Sequence, residues 1–219
     1  MSRGLGDVYK RQAADELMFV RRNFKCGIFS IPVLLRLLYS TGMRIGEACS
    51  LINSDVDMSS RIILVRNTKN KRDRQLPISD SLYQVLEQYL IKRDKLPLHN
   101  MGNPNSPFLI SLDGSSLTGV SARHWFYKIL EASDIDYIPK VGPRIHDLRH
   151  TFAVHVLDKL VKEGVDMHCC LPVLSMALGH KCVSDTEYYV RITNQVYPHL
   201  SDTTSAISEY VFPTISTMK

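Results

Sequence analysis

This sequence of 219 residues has no long apolar run, and that absence excludes a membrane-spanning helix. Its longest apolar stretches, Gly27–Leu35 and Cys169–Leu178, are about ten residues each, against the ~20 that a bilayer demands. Cysteine is also sparse: five residues, an odd number, with no paired spacing. A disulfide framework is therefore not expected, and a reducing cytoplasm is the expected setting. The opening residues, MSRGLGDVYKRQ, lack the apolar core of a signal peptide. No repeat, low-complexity tract or single-residue bias is present, which removes disordered, collagen-like and coiled-coil classes. What remains is an ordinary globular composition, 44% hydrophobic and 22% charged, long enough for one domain or two small ones to bury a core without a metal staple.

Charge is concentrated where it matters. The net charge is only +5, yet residues 61–74, RIILVRNTKNKRDR, hold six basic side chains and one acid. Such a local excess points to a polyanion; a solvated basic hairpin is the other account of it.

The pattern predicts a mainly α protein with a small antiparallel β-sheet (α+β). From Ile28 the apolar residues Ile31, Leu34, Leu35 and Leu38 fall on one helical face, Gly42 interrupts, and Arg44–Leu51 starts a second helix. After a turn at Asn53–Asp57, Arg61–Arg66 and Arg74–Ile78 alternate as the strands of a hairpin whose polar tip is Asn67–Asp73. Residues 80–95 resume the helical period. Leu96–Ser116 reads as a loop with one short strand at Phe108–Ser111. Further helices are predicted at Leu117–Ala132, Asp147–Glu163, Leu171–Leu178 and Asp185–Ile192, the last opened by Ser184 as N-cap. Trp125 and Phe126 read as buried.

Several motifs carry chemistry. In RIHDLRHTF, His146 and Arg149 are three apart, on one face of a helix start, where a phosphate could bridge them. In TGMRIGEACSL, Arg44 follows a glycine turn and Glu47 comes one helical turn later, so the carboxylate can orient the guanidinium. Leu178-Gly179-His180 precedes Tyr189 by nine residues. His168, Cys169, Cys170, His180 and Cys182 are metal-ligating types. Adjacent cysteines supply two tetrahedral ligands poorly, however, and free cysteine on an apolar helix packs as a small hydrophobe, so no metal is expected.

The order TGMR, a lysine in NTKNKRDRQLPI, HDLRH, LGH and a tyrosine nine residues on resembles the catalytic domain of the tyrosine recombinases, the phage integrase family, over residues 27–195. The resemblance implies that Arg44 and Arg149 bind the scissile phosphate, that Lys69 is the hairpin lysine, that His146 and His180 are the two histidines, and that Tyr189 is the nucleophile. Tyr188 is its adjacent rival. Tyrosine attack on a phosphodiester yields a 3′-phosphotyrosyl link and a free 5′-hydroxyl, and needs no cofactor. In that scheme Lys69, or Lys71 in its place, protonates the leaving oxygen, and His146 accepts the tyrosine proton. Glu47 and His150 are supporting residues, and Arg66, Lys71, Arg72 and Arg74 contact DNA. The implied partners are double-stranded DNA and further copies of the chain, tetrameric in the family, with no membrane.

This divides the chain into an N-terminal remnant or linker, 1–26, whose first 12 residues look non-native, a catalytic domain, 27–195, and a tail, 196–219, read either as a helix folded back on its own domain or, as the resemblance implies, as a protomer-exchange helix. Family members carry a separate helical DNA-binding domain before the catalytic one. With only 26 residues ahead of the resemblance, the sequence reads as a minimal member, a truncated product or one module of a split system. Two other classes compete: a catalytically silent DNA-binding regulator of the same fold, and a metal nuclease. The latter would need clustered carboxylates, which the basic motifs lack.

Overall fold

A computed structural model describes residues 27–66, 73–133, 135 and 142–189. The chain divides after Arg149 into two units.

The first unit is organised around α1, Ile31–Thr41. Ile31, Val33, Leu34, Leu35, Leu37 and Leu38 are all buried, so this helix is apolar nearly all round and sits inside rather than on the surface. It packs against α2 (Ile45–Cys49), α3 (Asp80–Asp94) and α4 (Gly119–Ala132). A single 3₁₀ turn, Gly27–Ser30, precedes it where the sequence suggested α-helix. Gly42 ends α1 in the left-handed region, φ 64°, with its N–H donating to Leu38 O at 3.0 Å. Glycine takes that conformation without a Cβ penalty, and it redirects the chain into the N-terminus of α2.

The sheet has three antiparallel strands, β1 (Val56–Asp57), β2 (Ile62–Val65) and β3 (Arg74–Pro77), in that order. The predicted hairpin is β2–β3, with Ile63 opposite Leu76 and Val65 opposite Arg74. Strand β1 lies where a turn was expected, because Val56 and Asp57 find partners in Ile63 and Ile62. Alternation puts Arg74 on the same side as buried Leu76, which decides what that arginine meets. Phe108–Ser111 is not a strand. Single bridges, Ile52 to Pro107 and Ile110 to Ser116, hold the segment, and Phe108, Leu109 and Ile110 are buried. Trp125 and Phe126 are buried as well.

The second unit is built on α5 (Asp147–Lys162), whose residues from His150 onward belong to it, and α6 (Met167–Leu178). Ala153, Leu157, Cys170, Leu171, Leu174, Leu178 and Tyr189 form one buried apolar cluster. Both helices end on left-handed glycines, Gly164 (φ 80°) and Gly179 (φ 67°). Helix α6 starts earlier than the sequence pattern suggested. Residues 184–189 are helical, so Ser184 lies within that helix and is not its cap; its hydroxyl donates to Cys182 Sγ at 3.0 Å. No helix among the described residues is long and apolar enough to cross a membrane. The predicted tail helix, its cap and its stop lie outside the described residues.

Gly42→Ala is expected to cost about 1–2 kcal/mol, the price of an L side chain at positive φ, and to lower Tm by a few degrees in a thermal melt. An unchanged Tm would mean that the turn relaxes freely.

Candidate active site

In the first unit one carboxylate organises the basic residues. Arg44 stands immediately before α2, and its backbone N–H donates to Glu47 Oε2 at 2.8 Å, capping the helix. Its Nη1 donates to Glu47 Oε1 at 2.9 Å. Arg74, arriving from β3, donates Nη1 to Oε1 at 3.1 Å and Nη2 to Oε2 at 2.7 Å. The carboxylate thus serves two guanidiniums. The side chains of Arg74 and Glu47 are 9% and 7% exposed, whereas that of Arg44 reaches 28%. Burial alone would raise the pKa of Glu47; the bonds from Arg74 and from the Arg44 amide and guanidinium outweigh it and hold the carboxyl below its ordinary 4.5.

The other arginine lies deeper. Arg149, in the first turn of α5, is 2% exposed, and its Nη1 donates to Gly42 O at 2.8 Å. That carbonyl belongs to the turn leading into Arg44, so residues 107 apart in sequence meet at one turn. His146 is exposed on the turn before α5, which begins at Asp147. Arg149, one turn on, is buried instead; the Arg144 N–H donates to Asp147 Oδ2 at 2.8 Å across that turn.

Of the expected DNA contacts, Arg66 is half-exposed and its Nε lies 2.6 Å from Asp55 Oδ1. Arg74 is engaged by Glu47, as described. Lys69, Lys71 and Arg72 lie outside the described residues.

In the second unit Tyr189 is 3% exposed, its ring set in the apolar cluster. Its hydroxyl is 3.2 Å from His150 Nδ1. The His180 ring stacks on it, centroids 6.0 Å apart and planes within 8°. His180 Nδ1 is 2.8 Å from Oγ1 of fully buried Thr186, which fixes the orientation of the ring. Tyr188, by contrast, is 55% exposed, and its ring touches those of His150 and Tyr189 edge-on. Cys170 is buried in the apolar cluster, where its thiol donates to Asp166 O, while Cys169 and Cys182 are exposed. Among the described residues no group of three or more His, Cys, Asp or Glu could hold a metal ion.

Sequence reasoning named these residues but missed two relations. The first is Arg74 as the second partner of Glu47; the alternation of β3 around Leu76 was the signal available for it. The second is the Thr186–His180 bond, for which only the spacing of Thr186 before the tyrosine hinted.

Comparison with known proteins gives the family and the fold. The model of the Phage integrase family matches residues 10–195. Tyrosine recombinase XerC of Thermodesulfovibrio yellowstonii is 32% identical over 160 residues, covering 73% of this chain and 49% of that protein. XerC of Bacillus subtilis is 31% identical over 163 residues, covering 74% of this chain and 49% of that protein. This chain spans about half the length of the curated relatives it matches. The crystal structure of XerA recombinase superposes with a TM-score of 0.68 at 22% identity, covering 93% of this chain and 62% of that one. The XerH site-specific recombinase bound to its difH substrate gives 0.61 at 22% identity, covering 84% and 48%. These structures share the mainly helical fold with its small antiparallel sheet.

Because Glu47 is more acidic folded than unfolded, its contribution to stability is full above the unfolded value and lost as pH falls through the folded one. Glu47→Gln lacks that contribution at every pH. The Tm difference between wild type and Glu47→Gln should therefore be widest near neutrality and close as pH falls from the ordinary 4.5 through the lower folded value. Thermal melts across pH check this; a difference independent of pH would show that the charge of the carboxylate is not what matters.

Proposed function

Since the chain belongs to the phage integrase family, the tyrosine recombinases, we propose that it cleaves and rejoins DNA strands at specific sites through a 3′-phosphotyrosyl intermediate. The observation that carries this reading is the bond from buried Arg149 to Gly42 O, which joins the two arginine motifs at one turn. Two planar guanidiniums of fixed charge suit the non-bridging oxygens of a phosphodiester, whose negative charge grows in the transition state.

In the proposed reaction Tyr189 Oη attacks phosphorus, the bond to the 5′ oxygen breaks, and that oxygen leaves with a proton from Lys69. The new phosphotyrosyl ester keeps the bond energy, and a 5′-hydroxyl of another strand reverses the step. Arg44, Arg149 and His180 stabilise the phosphorane, and His146 stands on the phosphate side. The phenolic proton of Tyr189 goes to a histidine. The sequence suggested His146; the 3.2 Å separation of His150 Nδ1 from Tyr189 Oη supports His150 for that step. The Thr186 bond supports His180 as an aimed donor. The same reading makes duplex DNA the partner, as in the XerH complex, and a homo-oligomer on DNA the working form, in the cytoplasm where the DNA lies.

Trapping on a nicked suicide duplex in chelator tests the proposal. Wild type should form a covalent protein–DNA adduct, Tyr189→Phe should form none while binding the duplex normally, and Tyr188→Phe should remain active. Adduct lost in Tyr188→Phe and kept in Tyr189→Phe would move the nucleophile by one residue. No adduct from wild type would favour the silent regulator.

Arg44→Ala and Arg149→Ala are each expected to slow single-turnover cleavage by at least ~10²-fold, the scale for removing one transition-state charge donor. A loss well below that would demote the residue concerned to an ordinary ion.

A further inference from the structure

We propose that Arg74 is a positioning residue for cleavage: by forking onto both oxygens of Glu47 it limits the Arg44 guanidinium to one point of attachment on that carboxylate, so that Arg44 stays directed to the scissile phosphate. This rests on the recombinase reading and adds a role to it.

The geometry divides the carboxylate unequally. Arg74 spans it as a fork, Nη1 to Oε1 at 3.1 Å and Nη2 to Oε2 at 2.7 Å. Arg44 contributes its backbone amide to Oε2 and, from its guanidinium, only Nη1 to Oε1. A two-point fork is the strongest pairing an arginine and a carboxylate can form, and here Arg74 holds it. Were Arg74 absent, Glu47, nearly buried beside α2, would retain one guanidinium partner. A carboxylate out of water takes the best pairing available, so Arg44 would turn into the fork and its charge would be cancelled. Glu47 can balance only one of the two arginine charges, and Arg44 is the more exposed of the pair.

The strand explains why Arg74 can do this and why a phosphate-contact role fits it poorly. It lies opposite Val65 on the face of the sheet that carries buried Leu76, and its side chain is 9% exposed. Both of its terminal nitrogens donate to a protein carboxylate.

The test measures single-turnover cleavage of a nicked suicide duplex, and duplex affinity over a salt series, for wild type, Arg74→Ala and Glu47→Gln/Arg74→Ala. Arg74→Ala should cleave at least ~10-fold more slowly, with affinity and salt slope unchanged. The double variant, whose neutral amide no longer competes for Arg44, should regain most of the lost rate, a coupling that loss of packing would not produce. Should Arg74→Ala not fold, Arg74→Lys keeps the charge without the fork, and Glu47→Gln should relieve its slowing too.

Four results would overturn the proposal. Arg74→Ala could cleave at the wild-type rate. It could bind less tightly with a salt slope reduced by about one, as a phosphate contact would. The double variant could be no faster than the single one. Or a 5′-bridging phosphorothiolate, whose sulfur leaves without a proton, could alone restore Arg74→Ala, which would place the effect on the hairpin acid. Wild-type adduct on the same duplex separates these from failure of the recombinase reading, which its absence would signal.

Discussion

A single carboxylate shared by two guanidiniums is the interaction on which the front of this molecule depends. Glu47 caps α2 through the Arg44 amide, fixes the Arg44 guanidinium and anchors β3 through Arg74. Helix start, phosphate-binding candidate and hairpin are thus held by two oxygens. Buried ion pairs add little net stability, because desolvation offsets their attraction, but they demand one geometry. Here the geometry holds an arginine in place at the end of a short helix that could not hold it by propensity alone.

Gly42 complements this arrangement. Its left-handed conformation turns the chain from α1 into α2, and its carbonyl receives Arg149. A buried guanidinium needs acceptors, and this turn carbonyl supplies one that carries no negative charge. The second unit uses different means. There an apolar cluster encloses the Tyr189 ring, while His150 meets its hydroxyl and His180 stacks on its face. Apolar packing fixes the ring, and the hydroxyl is left a specific partner.

Much of the fold was legible because its signals are local. The α1 periodicity, the Gly42 stop, the alternation in 62–65 and 74–77 and the burial of Phe126 follow from neighbours along the chain. What escaped depends on partners that periodicity and spacing do not pick out. Strand β1 is two residues that extend only because β2 is beside them, and Phe108–Ser111 is pinned by isolated bridges instead of a ladder. Similarly, spacing could pair Arg44 with Glu47 but could not show that Arg74, 27 residues on, holds the same carboxylate more fully. His146 and Arg149 looked alike by spacing, yet the first is exposed and the second buried on Gly42 O. The family's order of motifs was readable, whereas the bonds that orient His150 and His180 required coordinates.

The most direct measurement of the central claim is a crystal structure of the protein on a nicked duplex with vanadate in place of the scissile phosphate. The account predicts Arg44 and Arg149 each donating to equatorial vanadate oxygens, with Arg74 still forked on Glu47. Arg74 on the vanadate, or Arg44 forked on Glu47 and withdrawn from it, would contradict the account.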